Sequence, residues 1–500
     1  MFTGMTLDPR TPILVGQGQV LQRTDDLSAA LDPIHLMAQA VTRAVSDANL
    51  TQIPTPDAMF AIRSLSSKHS NPAQGVADLL NISPRRCGIT PHGGNMPQAL
   101  VNLAAREIQN GRLDVVILVG GEATRTRNRA RRNDVTLDWP TLDNSVSTPE
   151  LIGEDLALNH EIELERKIMM PIQIYPMFET ALRAAGNRSV RDHQHRIGEL
   201  WSRFSAVAAT NPFAWTQREY SASEIITSSQ DNRTIGFPYT KLMNSNNDVD
   251  MAAALIICSV ERARALGIPQ DKWIFPQSGT DCHEHNYISH RDTFADTPAV
   301  RIGGALALQL AKKSIDEISI IDLYSCFPSA VQLGAQSLGI SITQQLTCTG
   351  GLSFAGGPWN NYVMHAIATT MIELRGRPNE TALVWANGGY ATKHSFGVYA
   401  TTPPKDGFRH DSPQSQIDLL PRRDVANSIQ AKGSATIESY SVMHNRDGSP
   451  ETVCASALLA DGRRAWATSS DTNLAEAMTH DEWVGKLAML DGHGTLHVID

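Results

Sequence analysis

No apolar run in this 500-residue chain approaches the ~20 residues needed to span a bilayer. That argues against a membrane span. There is no excess of basic charge: the net charge is -9 and the pI near 6.0, which argues against general nucleic-acid binding. The opening MFTGMTLDPRTPILVG lacks a basic region followed by a long apolar stretch, so a secretory leader is not expected. CxxC pairs are absent too. The six cysteines, Cys87, Cys258, Cys282, Cys326, Cys348 and Cys454, are scattered, which reads as reduced thiols in a cytoplasmic protein rather than a disulfide frame or a zinc site. "CHEHNYISHRD" (282 to 292) has three histidines but neither HExxH spacing nor an acidic base at the right place. No metal is expected.

What is present is enough apolar sequence, 41% of residues, to bury a sizeable core, and length for about three domains. Residues 11 to 123 alternate apolar runs with helical patterns. "TPILVGQGQV" reads as a strand opening into a glycine-containing loop, and "PIHLMAQAVTRAVSDANL" has helical spacing. "LDVVILVGG" is a continuous apolar run of the kind found in strands buried on both faces. Residues 124 to 245 differ. They start with the basic run "TRTRNRARRND", read as a polar loop, and include a helix, "ELWSRFSAVAATNPFAW", stopped at an Asn-Pro step. "DMAAALIICSVERARALG" returns to strand and helix. Residues 266 to 402 repeat the α/β alternation, with Cys348 in "TCTGG" expected within a strand. The Pro- and polar-rich stretch 401 to 424 reads as a linker. Beyond it, Asp447-Gly448 and Asp461-Gly462 mark β-hairpins of a small β-rich, OB-like domain. "NLAEAMTHDEWVGKLAML" reads as a last helix.

One unit occurs twice. Gly93-Gly94, helix, strand, Gly120-Gly121 is matched by Gly356-Gly357, helix, strand, Gly388-Gly389. Such self-similarity suggests a pseudo-twofold domain whose helix N-termini face a shared site. In the first copy, "HGGNMPQALVNLAAREIQNGRLDVVILVGGEA" (92 to 123), the helix start holds Gly94, Asn95 and Met96, and none of these is a nucleophile.

Several pieces in one order resemble the thiolase superfamily. Arg10 to Ile13 ("RTPI") resembles the opening of many thiolases, and the 92 to 123 stretch resembles the nucleophile helix with its following strand. "DVDMAAALIICSVERARALG" is similar to the "NDGAAAL" segment. "LYSCF" (Leu323 to Phe327) stands at the NEAF or HDCF motif, "GGLSFAGGP" (Gly350 to Pro358) at the "GGxxxxGHP" loop and "ANGGY" (Ala386 to Tyr390) at the CxG motif. The extra C-terminal domain resembles that of thiolase-like proteins of type 1.

The resemblance implies an α/β thiolase fold, two pseudo-twofold-related halves in an α/β/α/β/α layering. The N-terminal half would comprise 1–123 plus 246–265, with a helical loop domain inserted at 124–245. The C-terminal half would comprise 266–408, followed by a linker at 409–424 and a β-rich domain at 425–500. It also implies departures: Gly94 at the nucleophilic cysteine, Gly357 at the GHP histidine, Ala386 at the CxG cysteine and Tyr324 at the His or Asn of HDCF or NEAF. Cys326 aligns with the HDCF cysteine, an acid/base residue by resemblance.

The implied ligand is coenzyme A or an acyl-CoA, with no tightly bound cofactor. A thiolase forms an acyl-enzyme on a cysteine at a helix N-terminus, and Gly94 closes that route at its position. Backbone N–H groups at Gly94 and Asn95 remain available to a thioester oxygen, unless the glycines serve only the turn. Cys326, Tyr324 and His394 are the acid/base candidates. Arg125, Arg127, Gly356, Gly357 and Gly388 complete the expected coenzyme A site, the arginines facing its phosphates. Three readings follow: an acyltransferase-like protein working through Cys326 and Tyr324, a retro-aldolase of a 3-hydroxyacyl-CoA, and a silent CoA-ester or partner-binding module. The sequence leaves monomer and homodimer open.

Overall fold

A computed structural model describes residues 7–140 and 146–498. The first sheet is built from β1 (Pro12–Leu21), β2 (Ala58–Ala61), β3 (Arg86–Ile89), β4 (Val115–Ala123) and β5 (Glu150–Leu151). The inserted segment contributes β6 (Thr234–Phe237) and β7 (Tyr239–Thr240), and β8 (Asp250–Ser259) returns to the first sheet. The order there is β1-β8-β4-β2-β3-β5. A second sheet holds β9 (Phe275–His283), β10 (Ile320–Leu323), β11 (Thr381–Gly388), β12 (Lys393–Ala400) and β13 (Arg409–Asp411), in the order β10-β11-β12-β9-β13.

The twofold repeat is visible in these orders. β2-β4-β8-β1 and β10-β11-β12-β9 share one pattern, a parallel pair followed by two antiparallel ones. The helices that precede β4 and β11, Met96–Gln109 and Tyr362–Gly376, pack against each other between the two sheets. Both are largely buried, so their sequences carry apolar residues around much of the circumference. The buried polar exceptions are Gln98 and Asn102 in the first helix and His365, Thr369 and Thr370 in the second. Tyr399 Oη donates to Gln98 Oε1 at 2.7 Å, and Gln98 Nε2 donates to Asn102 Oδ1 at 2.9 Å, so both side chains have partners in the interior.

β14 (Lys432–His444), β15 (Pro450–Leu459), β16 (Arg464–Ser469), β17 (Leu487–Asp491) and β18 (Leu496–Val498) form the C-terminal antiparallel sheet, ordered β16-β15-β14-β17-β18. It curls until β16 and β18 meet at a Thr468–Thr495 bridge. Gly448 (φ +91°) and Gly462 (φ +84°) provide the left-handed residues of the two expected hairpin turns. β6 pairs with β14 through Phe237 and Val442, so the inserted segment extends this sheet.

Five local expectations are corrected. β1 runs unbroken through Gly16 and Gly18, whose bare backbone admits the carbonyls of Ala44 and Ala40 from helix Pro33–Asp47. The arginine run forms a helix, Thr124–Arg132. Cys348 sits in a buried bend, not a strand, beside the Asp322 carboxylate. Within the expected linker, β13 joins β9 in the second sheet. The last helix stops at His480, and the rest of that pattern becomes β17, where Ala488 and Leu490 are buried and Leu487 and Met489 exposed. That alternation has the period of a strand, not of a helix.

Candidate active site

A cavity of about 560 Å³ opens where the two halves meet the inserted segment. Its floor is the turn before helix Met96–Gln109, the loop after β10 and the end of β11, which contribute Gly94, Tyr324 and Gly388. Each half thus delivers one glycine turn to the same place. A side chain at Gly388 would press on Asn95 Oδ1 at 2.7 Å and on the Gly94 nitrogen at 3.1 Å, so glycine there lets the two turns touch.

Gly94 is the centre of the site. A Cβ built on it would lie 2.5 Å from both Tyr324 Oη and the Asn387 carbonyl oxygen. The tyrosine hydroxyl therefore occupies the space a residue-94 side chain would enter. The Gly94 N–H donates to no acceptor among the described residues, whereas the Gly93 N–H is held by Asn360 Oδ1 at 3.0 Å. Gly94→Ala is expected to destabilise the fold and displace the Tyr324 ring, because backbone on one side and a buried ring on the other leave no room. Thermal unfolding measures it, and an unchanged melting temperature would contradict this packing.

Cys326 lines the cavity, but its thiol is not activated. Burial pushes it up to about 12, and its contact with the Tyr175 hydroxyl offsets only part of that. Tyr175 is itself held in place: its Oη donates to the Gly389 carbonyl at 2.9 Å and accepts from Asn387 Nδ2 and the Ala391 N–H, each at 3.0 Å. A thiol titrating near 12 rather than at an ordinary 9 carries about a thousandth of the usual thiolate at neutral pH, and the thiolate is the reacting form. Iodoacetamide is therefore expected to label Cys326 about 10³-fold more slowly than a free cysteine. Peptide mapping checks this; labelling at the free-cysteine rate would overturn it.

Tyr324 is also raised by burial, with the nearby Cys326 adding to the effect, so it stays protonated and is a proton donor. His394 lies away from this cavity. It is fully buried, its Nδ1 accepts from Trp385 Nε1 at 3.3 Å, and burial keeps it neutral. It borders a second cavity of about 420 Å³, which Asn95 and Lys393 also line.

Arg125 and Arg127 do not line the main cavity. Arg125 donates to the Thr24 carbonyl and pairs with Asp25 at 2.7 Å; Arg127 donates to the Leu65 carbonyl. Gly356 adopts φ +107° and abuts Met251, and a side chain at Gly357 would meet Asn247 Oδ1 at 2.7 Å, so Asn247 stands next to that loop and in the cavity wall.

Sequence reasoning passed over His92, Lys393 and Tyr175. His92 is exposed and lines the cavity; its Nδ1 contacts Asn360 Nδ2 at 3.3 Å, and burial of the ring, chiefly, lowers its pKa. A signal for Lys393 was available: next to His394 on one strand, it must point to the opposite face.

This double-turn site between two repeated sheets defines the thiolase fold. The described chain resembles the acetyl-CoA acetyltransferase of Syntrophomonas wolfei (12% identity, TM-score 0.55, covering 79% of this chain and 100% of the other) and the Ltp2-ChsH2(DUF35) aldolase (18%, TM-score 0.59, 78% and 98%). Residues 413–494 match the model of the thiolase-like protein type 1 additional C-terminal domain. No curated protein matches. A monomeric SCP2-thiolase-like protein type 1 from Mycobacterium smegmatis is similar over 99% of this chain and all of its own, at 30% identity and a TM-score of 0.84. The chain belongs to the family of SCP2-thiolase-like proteins of type 1.

Proposed function

We propose that the cavity holds the acyl end of a coenzyme A thioester and cleaves the Cα–Cβ bond of a 3-hydroxyacyl group by proton transfer, with no acyl-enzyme. The observation that carries this reading is the Tyr324 hydroxyl, set where a side chain on residue 94 would begin, the place where a covalent catalyst would need its nucleophile. An acyltransferase route through Cys326 would need a thiolate that burial disfavours.

In the proposed reaction the thioester oxygen takes up the free Gly94 N–H. Neutral His92, at the rim, removes the proton of the 3-hydroxyl. The Cα–Cβ bond breaks, a carbonyl compound leaves, and the electron pair becomes a thioester enolate whose oxygen the Gly94 N–H stabilises. Tyr324 then protonates Cα, giving the shortened acyl-CoA. The step leaves His92 protonated and Tyr324 as a phenolate; water takes the proton from His92 and returns one to Tyr324, so no co-reactant is consumed. Incubation of a 3-hydroxyacyl-CoA in deuterated buffer, followed by mass spectrometry of the thioesters, is expected to show a shortened ester with one solvent deuterium. A shortened ester without deuterium would contradict the enolate step.

The pH dependence has a definite sign. The base works unprotonated, and His92 is displaced below its ordinary 6.5. Activity is therefore expected to persist as pH falls to 6.5 and to drop only below it. An acid limb above 6.5 in the kcat/KM profile would rule out His92 as the base.

A second reading, a silent thioester-binding module, is favoured by one observation: Cys326 and Tyr324 both titrate far above neutrality. An unchanged thioester pool would select it.

A further inference from the structure

Lys393 is 5% exposed, on β12. Buried lysines are rare unless paired, because an ammonium loses its hydration on entering the interior. This one has no ion pair: among the described residues no carboxylate lies within 4 Å of its Nζ. Asp155 acts on it only at longer range, and Asp155 is itself exposed. Lys393 Nζ donates to the His92 carbonyl. An ammonium has three N–H donors, and two are left.

Its surroundings point the same way. Lys393 lines the main cavity, whose described wall contains no aspartate or glutamate. The neutral donors there include the amides of Asn247, Asn360 and Asn387. Lys393 also borders the second cavity, where Glu154 and Asp281 lie, but neither approaches within ion-pair distance. Asp281 is instead paired with His410 at 2.6 Å. The Lys393 Nζ sits 3.1 Å from where a side chain on Gly93 would begin, one residue from the amide proposed to hold the thioester oxygen.

We infer that Lys393 is the anchor for a carboxylate on the acyl group, so that the thioester taken by this cavity is the monothioester of a short dicarboxylic acid. This rests on the thioester reading above. The enolate oxygen would not by itself account for the buried charge, since it exists only during turnover, whereas the ammonium is desolvated in the resting protein. A carboxylate present in the bound substrate supplies a permanent counter-charge and a charge-assisted hydrogen bond. Its proximity to Gly93 sets the length: the carboxylate can be only a few atoms from the thioester carbonyl.

The test is calorimetric titration of the full-length protein with succinyl-CoA and with butyryl-CoA, which share the coenzyme and differ at the acyl terminus. The expected result is that succinyl-CoA binds about tenfold or more tightly, as a hydrogen bond to a charged group provides, and that Lys393→Met makes the two affinities equal. Equal affinities in the wild-type protein would overturn the role of Lys393 while leaving the thioester reading in place. A preference for succinyl-CoA that survives Lys393→Met would also overturn it. Failure of both esters to bind would remove the thioester reading and the inference together. The wild-type comparison stands even if the variant does not fold.

Discussion

Tyr324→Phe is expected to lower kcat for a 3-hydroxyacyl-CoA by about 10²–10⁴-fold, the usual contribution of a positioned proton donor, with little change in KM. The separation of the two constants follows from the geometry. The phenyl ring keeps its edge-to-face packing on Tyr362, at a centroid distance of 5.7 Å, and continues to fill the space before Gly94. Only the hydroxyl, directed at that space, is lost. Thioester binding through the Gly94 amide is unaffected, and protonation of the enolate is slowed. Steady-state kinetics with the shortened ester as readout decide it. A variant with wild-type kcat would exclude Tyr324 from the chemistry, and a rise in KM alone would make it a binding residue.

Arg464→Met is expected to cost about 3–5 kcal/mol of stability, the range for removing one partner of a buried ion pair. Arg464 has no exposed surface. Its guanidinium donates to both Glu438 carboxylate oxygens, at 2.6 and 2.8 Å, and to the carbonyls of Ile288, Ser289 and Arg291, at 3.1, 2.7 and 2.6 Å. One side chain thereby joins the C-terminal sheet to the segment after β9. Methionine leaves Glu438 with the Ser456 hydroxyl, at 2.9 Å, as its only donor among the described residues, and takes the guanidinium from the Ser289 and Arg291 carbonyls. Urea unfolding and limited proteolysis of residues 425–498 measure the loss. The double variant Arg464→Met, Glu438→Met is expected to recover part of it, because it removes the stranded carboxylate. A loss below about 1 kcal/mol in the single variant would mean that water replaces the arginine.

The same contacts explain why the extra domain matters to the site. Helix Pro171–Ala185 carries Tyr175 into the cavity. One turn on, Thr180 donates to the Tyr440 carbonyl at 2.9 Å, and Arg183 reaches the Tyr440 hydroxyl at 2.7 Å and Glu482 at 2.8 Å. The C-terminal sheet thus backs the helix whose hydroxyl orders Cys326, Asn387 and Ala391.

Much of this architecture was legible in the sequence where a local pattern had a single physical reading. The apolar run of β4 suits only a strand covered on both faces, and the paired glycine motifs marked the two turns that meet in the cavity. Asp447-Gly448 and Asp461-Gly462 stood where left-handed turn residues were needed. The sequence was ambiguous where tertiary contact decides. Gly16 and Gly18 look like a loop until helix Pro33–Asp47 lies on them, and Leu487 to Leu490 look helical until β14 pairs alongside. At the site, Gly94 and Tyr324 were each visible, but not their mutual exclusion, which depends on a loop and a turn 230 residues apart in the chain. Lys393 was missed because a lysine in sequence reads as solvated; the burial of β12 on both faces takes it inside. Arg125 looked suited to a phosphate until Asp25 and the Thr24 carbonyl took up its donors.

The most direct measurement is of the thioester pool. The purified protein would be incubated in one reaction with a 3-hydroxyacyl-CoA and in another with the matching 3-oxoacyl-CoA plus free coenzyme A, each followed by mass spectrometry. Carbon–carbon cleavage without an acyl-enzyme predicts shortened esters from the 3-hydroxy substrate and none from the 3-oxo substrate. Shortened esters from the 3-oxo substrate with coenzyme A would contradict it, because thiolysis of that kind requires a nucleophile that the space before Gly94 does not contain.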